Sequence, residues 1–196
     1  MNYEFDNIYK QSWNILSQTH SEDKIVVRYI TVCNYAAGYI NAYTVVLRSA
    51  EATQHTLFFY TDIRSTKVNE IAQDNRLTVV IYLDDEKVQL VLNGDAIIHH
   101  QNDITEQYWT KDGYKGRRSY LAQPGPSTVI NEPADGLAHL NGKHFDDTDD
   151  AGYENFAVIE IKVNQFEYLK LNREGNRRAS FSLNANNEWE GSWLIP

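Results

Sequence analysis

The sequence has little cysteine and no long apolar run. Cys33 is the single cysteine among 196 residues, so an internal disulfide cannot form and nothing requires an oxidising compartment. Its neighbours Val32 and Tyr35 predict a buried, unreactive thiol. No stretch is apolar and long enough to cross a bilayer, and no basic N-terminal segment precedes an apolar run. These absences predict a soluble, cytoplasmic protein without membrane contact.

Basic residues are also in the minority. Lys and Arg number 18 against 27 Asp and Glu, which gives a formal net charge of -9. The one locally basic segment, GYKGRRS at residues 113–119, is short. Because nucleic acid binding depends on neutralising phosphates with clustered cations, we expect no nucleic acid partner.

Motifs for metal binding and for nucleophilic catalysis are missing. Of the six histidines, His99 and His100 are adjacent in a predicted strand and therefore face opposite ways. The acidic tract 146–150 lacks the alternating carboxylates and the distal glutamate of a calcium loop. The sequence has no nucleophile elbow and no Gly-rich nucleotide loop. We therefore expect no metal, and we expect any chemistry to come from a bound cofactor.

What the chain does contain is one amphipathic segment followed by many short β-type runs. In residues 4–19 the apolar side chains at helical spacing are Phe5, Ile8, Tyr9, Trp13 and Leu16, which predicts an N-terminal helix within residues 1–20. A second short helix is predicted at 103–111. The β-type runs are 29–33, 42–48, 56–61, 77–83, 87–99, 156–163, 166–171, 177–183 and 189–195. This pattern predicts one mainly β (α+β) domain over residues 1–196, a small antiparallel β-barrel with flanking helices.

The run 87–99 shows the clearest alternation. Val88, Leu90 and Leu92 fall on one face, while Gln89 falls on the other. Gly94 interrupts the strand and indicates either a bulge or a close approach of another backbone. By contrast, residues 122–153 show no periodicity and contain three of the four prolines, which indicates a functional loop or a partly disordered one.

The segment TDIRSTK at 61–67 indicates an anion site. A strand is predicted to end near Thr61 and a helix to begin near Arg64, so Arg64 and Lys67 lie at a helix N-terminus, where cations are normally disfavoured. A bound phosphate would reverse that preference by drawing hydroxyls, backbone N–H groups and both cations together. The alternative is two solvated charges on an ordinary helix.

Three segments carry a family resemblance: YTVVLR at 43–48, LFFYTDIRSTK at 57–67 and KVQLVLNGDA at 87–96. They resemble the FMN-binding segments of the pyridoxamine 5'-phosphate oxidase-related split-barrel flavoproteins. The arginine before Ser65 is more similar to an uncharacterised FMN-binding branch than to the vitamin B6 oxidases. The resemblance implies an FMN-binding split β-barrel, a homodimer with flavin sites across its interface, and an FMN-dependent oxidase that transfers a hydride from CH–NH2 or similar donors to flavin N5.

The resemblance also implies roles for individual residues. Ser65, Thr66 and Lys67 match the segment that grips the FMN phosphate, and Arg64 is expected to compensate for Thr66, which stands where the family has arginine. Arg177 or Arg178 is expected to reach the partner's flavin. The full set of implied cofactor-binding residues is Val45, Val46, Arg48, Tyr60, Thr61, Arg64, Ser65, Thr66, Lys67, Gln89, Arg177 and Arg178.

Departures from the family pattern concern the substrate more than the cofactor. Tyr43 replaces an arginine, Leu169 replaces a flavin-contacting tryptophan, and residues 176–178 lack the Arg-x-His of the B6 oxidases. The substrate positions that the resemblance implies are Arg48, Tyr108, Arg117 and Ser119. Two alternatives stay open, a genuine pyridoxine or pyridoxamine 5'-phosphate oxidase and a non-catalytic flavin-binding or stress-related protein.

Overall fold

The computed structural model describes residues 3–18, 27–111, 113–142 and 150–196. Its helices are α1 Tyr3–Ser17, α2 Thr66–Gln73, α3 Asp103–Lys111 and α4 Tyr114–Arg117. Its strands are β1 Tyr29–Ala36, β2 Tyr39–Glu51, β3 Thr56–Asp62, β4 Arg76–Leu83, β5 Val88–His100, β6 Phe156–Lys170, β7 Arg177–Leu183 and β8 Trp189–Leu194. Most of the acidic tract, residues 146–149, lies outside the described residues, as do residues 19–20 of the predicted N-terminal helix.

The strands form one sheet that closes on itself. Its order is β3-β2-β1-β4-β5-β6-β7-β8, and β3 also pairs with β6, so β1 to β6 complete a closed barrel that β7 and β8 extend. Neighbouring strands along the sheet run antiparallel in the β1–β2, β1–β4, β2–β3, β4–β5, β6–β7 and β7–β8 pairs. Closure removes the unpaired edges of the six strands. The predicted mainly β, antiparallel barrel with flanking helices is confirmed.

Alternation along β4 and β5 builds the barrel interior. Leu90 lies opposite Ile81 and Leu92 lies opposite Val79, and all four side chains are at most 3% exposed. Each such burial contributes about 1.5 to 3 kcal/mol. Glycine at position 94 is required because a Cβ there would overlap the carbonyl group of Lys162. The close backbone approach predicted for Gly94 is therefore confirmed, and the β4–β5 register passes through it without a bulge.

The β1–β2 hairpin is longer than its sequence predicts. Residues 34–38 suggest a five-residue turn, but pairing continues to Ala36 opposite Tyr39. Only Ala37 and Gly38 form the turn, with φ of 52° and 85°. Two successive residues at positive φ match the right-handed twist of the strands, so the hairpin needs no longer connection.

The prediction of two strands at 156–163 and 166–171 is wrong, because β6 is continuous over 15 residues. The polar residues between the two apolar runs are accommodated on the sheet. Asn164 donates a hydrogen bond to Asp95 at 3.1 Å, and Gln165 lies opposite Ser182 of β7. Polar side chains with partners therefore extended the strand where the sequence indicated a break.

The prediction that Cys33 is buried is wrong. Cys33 is partly exposed, because it alternates with the buried Val32 and Asn34 on β1 and faces outward.

No helix within the described ranges has the length and apolar character needed to cross a membrane.

The chain divides into two compact units. One comprises Met1–Phe59, Asp74–Ile97 and Glu160–Pro196, and the other comprises Tyr60–Gln73 and Ile98–Ile159. In the first unit α1 buries Phe5, Trp13 and Leu16, which confirms the predicted N-terminal helix. The second unit contains an aromatic cluster of Tyr60, Tyr108, Trp109, Tyr120, Tyr153 and Phe156. The single domain over residues 1–196 stays a prediction.

Candidate functional site

A hydrogen-bonded turn joins β3 to α2. The Asp62 carboxylate accepts a bond from the Arg64 backbone N–H at 2.8 Å, and its carbonyl accepts one from Ser65 N–H at 3.0 Å. Val68 N–H donates to the Ser65 carbonyl at 3.0 Å, so Ser65 directly precedes the first turn of α2. The helix begins two residues later than predicted because Asp62 holds Arg64 in the turn.

Ser65 and Lys67 are the residues of this turn whose side chains are suited to bind an anion. Ser65 is 2% exposed, and Lys67 Nζ donates a hydrogen bond to its Oγ at 2.9 Å. Burial lowers the pKa of Lys67, and it outweighs the opposing effect of the Asp62 and Glu70 carboxylates. Thr66 presents an exposed hydroxyl at the first position of the helix. A hydroxyl, a partly desolvated ammonium and the N–H groups of a helix N-terminus fit a phosphate group.

The Arg64 guanidinium is directed away from that cluster. Its Nε and Nη2 donate to the two Asp62 carboxylate oxygens at 2.9 and 2.6 Å. Nη1 donates to the Ala122 carbonyl at 3.1 Å and Nη2 to the Tyr120 carbonyl at 3.3 Å. The hydrogen bond to Asp62 is the main cause that raises the pKa of Arg64. The structure therefore gives Arg64 protein partners, and its predicted phosphate contact stays a prediction.

Arg48 lies at an irregularity of β2 that the sequence did not reveal. Leu47 pairs with Phe59 and Ser49 pairs with Phe58, so Arg48 is the extra residue of a β-bulge. A bulge re-aims the side chain it carries and is frequent beside functional sites. Val45 and Val46 precede it on the same strand and are half-buried. Only the β3 register reveals this bulge, since YTVVLR alone reads as regular strand.

Gln89 lies where the alternation predicts. It is half-buried, lies opposite Tyr82 of β4, and follows the buried Val88 on the other face of β5. Its side chain is therefore on the outward face of the barrel, opposite the apolar interior. Its hydrogen bond to a flavin ring stays a prediction.

Tyr60, Thr61 and Tyr108 belong to the second unit. Thr61 and Tyr108 are each 7% exposed. The Tyr60 ring lies 5.5 Å from the Tyr108 ring and 5.0 Å from Phe156, both edge to face. These contacts fix Tyr60 at the end of β3, directly before the turn, by packing.

Arg117 has a different environment from the substrate contact predicted for it. It is 7% exposed, and its Nε and Nη2 donate to the Trp109 carbonyl at 3.0 and 2.7 Å. The guanidinium also lies 5.0 Å from the centre of the Trp109 ring. Ser119 is exposed and donates its hydroxyl to the Gly116 carbonyl at 2.8 Å. Through these contacts with Trp109, Arg117 holds α3 in place. Its position therefore gives no support to the predicted substrate role.

Arg177 and Arg178 both have carboxylate partners in their own chain. Arg177 pairs with Glu4 of α1 and lies 4.8 Å from the centre of the Trp193 ring. Arg178 donates to Glu167 from Nε at 3.1 Å and from Nη2 at 2.6 Å. Their predicted contact with a partner's flavin is an untested expectation.

A cavity of ≈ 400 Å³ lies within the irregular segment 119–136, and sequence reasoning did not identify it. The backbone N–H of Gln123 donates to the Gly136 carbonyl at 2.8 Å and closes the segment into a loop. Its lining includes Ser119, Ile130, Glu132 and Asp135. The density of prolines and glycines was the available signal, but it does not specify which residues meet.

Among the residues that the structure describes, no group of three or more His, Cys, Asp or Glu side chains is arranged to hold a metal ion. His100 Nε2 lies 2.9 Å from the Glu154 carbonyl, and His99 Nδ1 lies 3.2 Å from Asn102 Nδ2.

A closed antiparallel barrel of six strands, extended by two more and flanked by helices, is the architecture of a split β-barrel. Residues 7–100 match the family model described as "Pyridoxamine 5'-phosphate oxidase, FMN-binding domain". This match covers just under half of the 196 residues, and it supports the resemblance to the pyridoxamine 5'-phosphate oxidase-related family and FMN as the cofactor. The assignment to an uncharacterised branch of the family stays a prediction.

Solved structures share the fold at low sequence identity. A pyridoxamine 5'-phosphate oxidase-related, FMN-binding protein from Nostoc punctiforme is 20% identical over 95% of this chain and 96% of its own, with a TM-score of 0.75. PhzG from Burkholderia lata, in complex with tetrahydrophenazine-1-carboxylic acid, is 14% identical over 100% and 98%, with a TM-score of 0.78. A Clostridium acetobutylicum protein related to general stress protein 26 is 14% identical over 88% and 94%, with a TM-score of 0.54. No curated protein matches the sequence significantly.

Proposed function

We propose that this protein is an FMN-dependent oxidoreductase in which Ser65 and Lys67 bind the cofactor phosphate. The observation that carries the proposal is the 2.9 Å contact between the Lys67 ammonium and the buried Ser65 hydroxyl at the N-terminus of α2. Desolvating an ammonium costs free energy, which a phosphate dianion would offset through charge-assisted hydrogen bonds.

The remaining cofactor contacts follow from the family resemblance. Val45 and Val46 are proposed to present main chain to the flavin, and Gln89 to hydrogen-bond it. The bulge at Arg48 separates its cation from the regular alternation of β2, which supports a specific contact over a solvated charge. When bound, FMN supplies hydride acceptance at N5. The protein's own groups bind and orient, and none is proposed as a general base.

A homodimer is part of the same proposal. Tyr29, Tyr35, Tyr39, Ile40 and Tyr82 are 49% to 76% exposed, on strands β1, β2 and β4. The outward residues between them, such as Thr31, Thr44 and Val80 in one register row, are uncharged. A patch with an uncharged centre suits a second copy of a chain with net charge -9, since two copies repel elsewhere.

The dimer is tested by the molar mass in solution. Ile40 is 76% exposed and lies opposite Tyr35 at the end of the hairpin. Ile40→Glu should shift light-scattering mass from twice 22.6 kDa toward 22.6 kDa, because two copies of the variant would bury like charges. Val129→Glu, at a 95% exposed position away from these strands, is the control. A monomeric wild-type protein contradicts the dimer.

Flavin affinity tests the cofactor site. Apoprotein is titrated with FMN, and bound flavin is followed by its visible spectrum and fluorescence. Ser65→Ala and Lys67→Ala should each weaken FMN by about 10-fold to 100-fold, because each removes a hydrogen bond to a charged group worth about 1.5 to 3 kcal/mol. Lys10→Ala, at an exposed position of α1, should leave affinity unchanged. Unchanged affinity in both Ser65 and Lys67 variants would place the phosphate elsewhere.

The substrate is proposed to differ from pyridoxamine 5'-phosphate. The observation that favours this is the burial of Arg117 against the Trp109 carbonyl, which occupies a cation that the B6 oxidase alternative would use on a phosphate. Oxygen consumption by the FMN-loaded protein with pyridoxamine 5'-phosphate decides the point. Turnover at rates typical of enzymes, roughly 1 per second or faster, supports the B6 oxidase instead. If the protein binds FMN but no tested donor reduces the bound flavin, the result supports the non-catalytic alternative.

A further inference from the structure

Arg64 connects the phosphate-binding turn to the irregular segment of the second unit. It directly precedes Ser65, and its backbone N–H and two of its side-chain nitrogens are bonded to the Asp62 carboxylate. Nη1 donates to the Ala122 carbonyl, and Nη2, which also donates to Asp62, donates to the Tyr120 carbonyl. One side chain therefore bonds both to its own turn and to the start of the segment.

Packing and additional hydrogen bonds support the same connection. A Cβ at Gly125 would lie 3.2 Å from Arg64 Nε, so the segment's main chain packs closely against the guanidinium. Asn155 Nδ2 also donates to the Tyr120 carbonyl at 2.9 Å, and the Asn155 carbonyl accepts from Ile63 N–H at 2.8 Å. The turn is thus bonded to both ends of the irregular region, and the cavity within 119–136 lies between these ends in sequence.

We propose that Arg64 is a positioning residue that couples phosphate binding at Ser65 and Lys67 to the conformation of the 119–136 cavity. This rests on the proposed FMN site. A phosphate that orders residues 65–67 also fixes the main chain of Arg64, and hence the fork that holds Tyr120 and Ala122. By thermodynamic linkage, an ordered segment must raise FMN affinity by the same factor by which FMN favours the ordered segment.

The sequence contains a matched control for Arg64. Arg76 repeats the local motif, since its backbone N–H and its Nε and Nη2 are bonded to Asp74 two residues earlier, at 3.2, 2.8 and 2.5 Å. Its side chain is 79% exposed, compared with 31% for Arg64. Arg76→Gln therefore removes the same Asp-x-Arg bonds at a solvent-exposed position, while Arg64→Gln also removes the bonds to the segment.

The experiment is hydrogen exchange of the full chain with and without FMN, read at residues 65–68 and at 119–136. In the wild-type protein and in Arg76→Gln, FMN should slow exchange at both places. In Arg64→Gln, FMN at saturating concentration should still slow exchange at 65–68 but leave 119–136 unchanged. FMN affinity should fall by roughly 5-fold to 20-fold, within the usual range of coupling between sites.

A purely structural Arg64 would give another result. The segment would exchange faster in Arg64→Gln, but FMN would slow it by the same factor as in the wild type, and that outcome overturns the proposal. Arg64→Lys keeps the charge and loses the fork, so it should fold and show a partial FMN effect at 119–136; a full effect also overturns the coupling. Failure of FMN to protect 65–68 in the wild type would instead count against the proposed phosphate site.

Discussion

Lys67, which was predicted to contact the cofactor phosphate, and Arg117, which was predicted to contact the substrate, lie in very different surroundings. Lys67 is partly buried beside a serine hydroxyl at a helix N-terminus, where burial lowers the pKa of its ammonium. Arg117 is more deeply buried, and its fork is directed at the Trp109 carbonyl and stacks on the Trp109 ring. The comparison indicates that a cation held by a main-chain carbonyl and an aromatic ring stabilises the fold, whereas a partly desolvated ammonium beside a hydroxyl at a helix N-terminus is suited to an anionic ligand.

Replacing Arg117 should give the largest effect. Arg117→Ala removes two hydrogen bonds to the Trp109 carbonyl and the contact of the guanidinium with the Trp109 ring, which costs about 3 kcal/mol of unfolding free energy. Urea denaturation measures the loss. FMN affinity of the folded fraction should not change. A stable variant with weakened binding of a phosphorylated substrate would restore the predicted substrate role.

Replacing Lys67 should weaken FMN binding more than it changes stability, which is the reverse of the effect expected for Arg117. Lys67→Met keeps the stem and removes the partly desolvated charge, so FMN binding should fall strongly while the stability of the apoprotein changes little. Thermal unfolding without and with excess FMN separates the two effects. A destabilised apoprotein would mean that Lys67 resembles Arg117, and the comparison between them would fail.

The local part of this site could be predicted from sequence, and the non-local part could not. TDIRSTK contains strand end, turn, hydroxyl and cation within seven residues, so its chemistry was visible without a fold. Two partners of Arg64, the carbonyls of Tyr120 and Ala122, are 56 and 58 residues away in sequence, and the bulge at Arg48 exists only relative to β3. The alternation of apolar and polar residues correctly identified the inward face of β5. It predicted two strands where β6 is continuous, because polar residues inside a strand resemble a turn.

Replacing the Arg48 side chain should have a moderate effect on the cofactor site. Arg48→Lys keeps the charge but loses the planar fork, so FMN affinity should fall by only a few fold, while Arg48→Ala should weaken it by roughly 10-fold if the cation contacts the cofactor. Lys162→Ala, at a 60% exposed position, is a charge-matched control. Equal FMN affinity in both Arg48 variants and the wild type would make Arg48 a solvated charge.

The smallest expected effect is on the pH dependence of the stability of the folded protein below neutral pH. His55 packs against Tyr9, Trp13 and Trp189, and burial lowers its pKa below 6.5. The unfolded chain then binds more protons than the folded protein, so stability falls as pH drops below about 6.5. His55→Asn tolerates the φ of 57° at this position and should reduce that dependence. An unchanged slope of melting temperature between pH 7.5 and 5.5 would assign the dependence to other groups.

The most direct test of the Ser65–Lys67 phosphate site compares FMN with riboflavin, which lacks only the phosphate. Calorimetric dissociation constants are measured for both flavins with wild-type apoprotein and with Lys67→Met. We expect the wild type to prefer FMN by about 100-fold or more, and most of this preference to disappear in Lys67→Met while riboflavin affinity stays the same. An equal preference for FMN in both proteins would contradict this expectation.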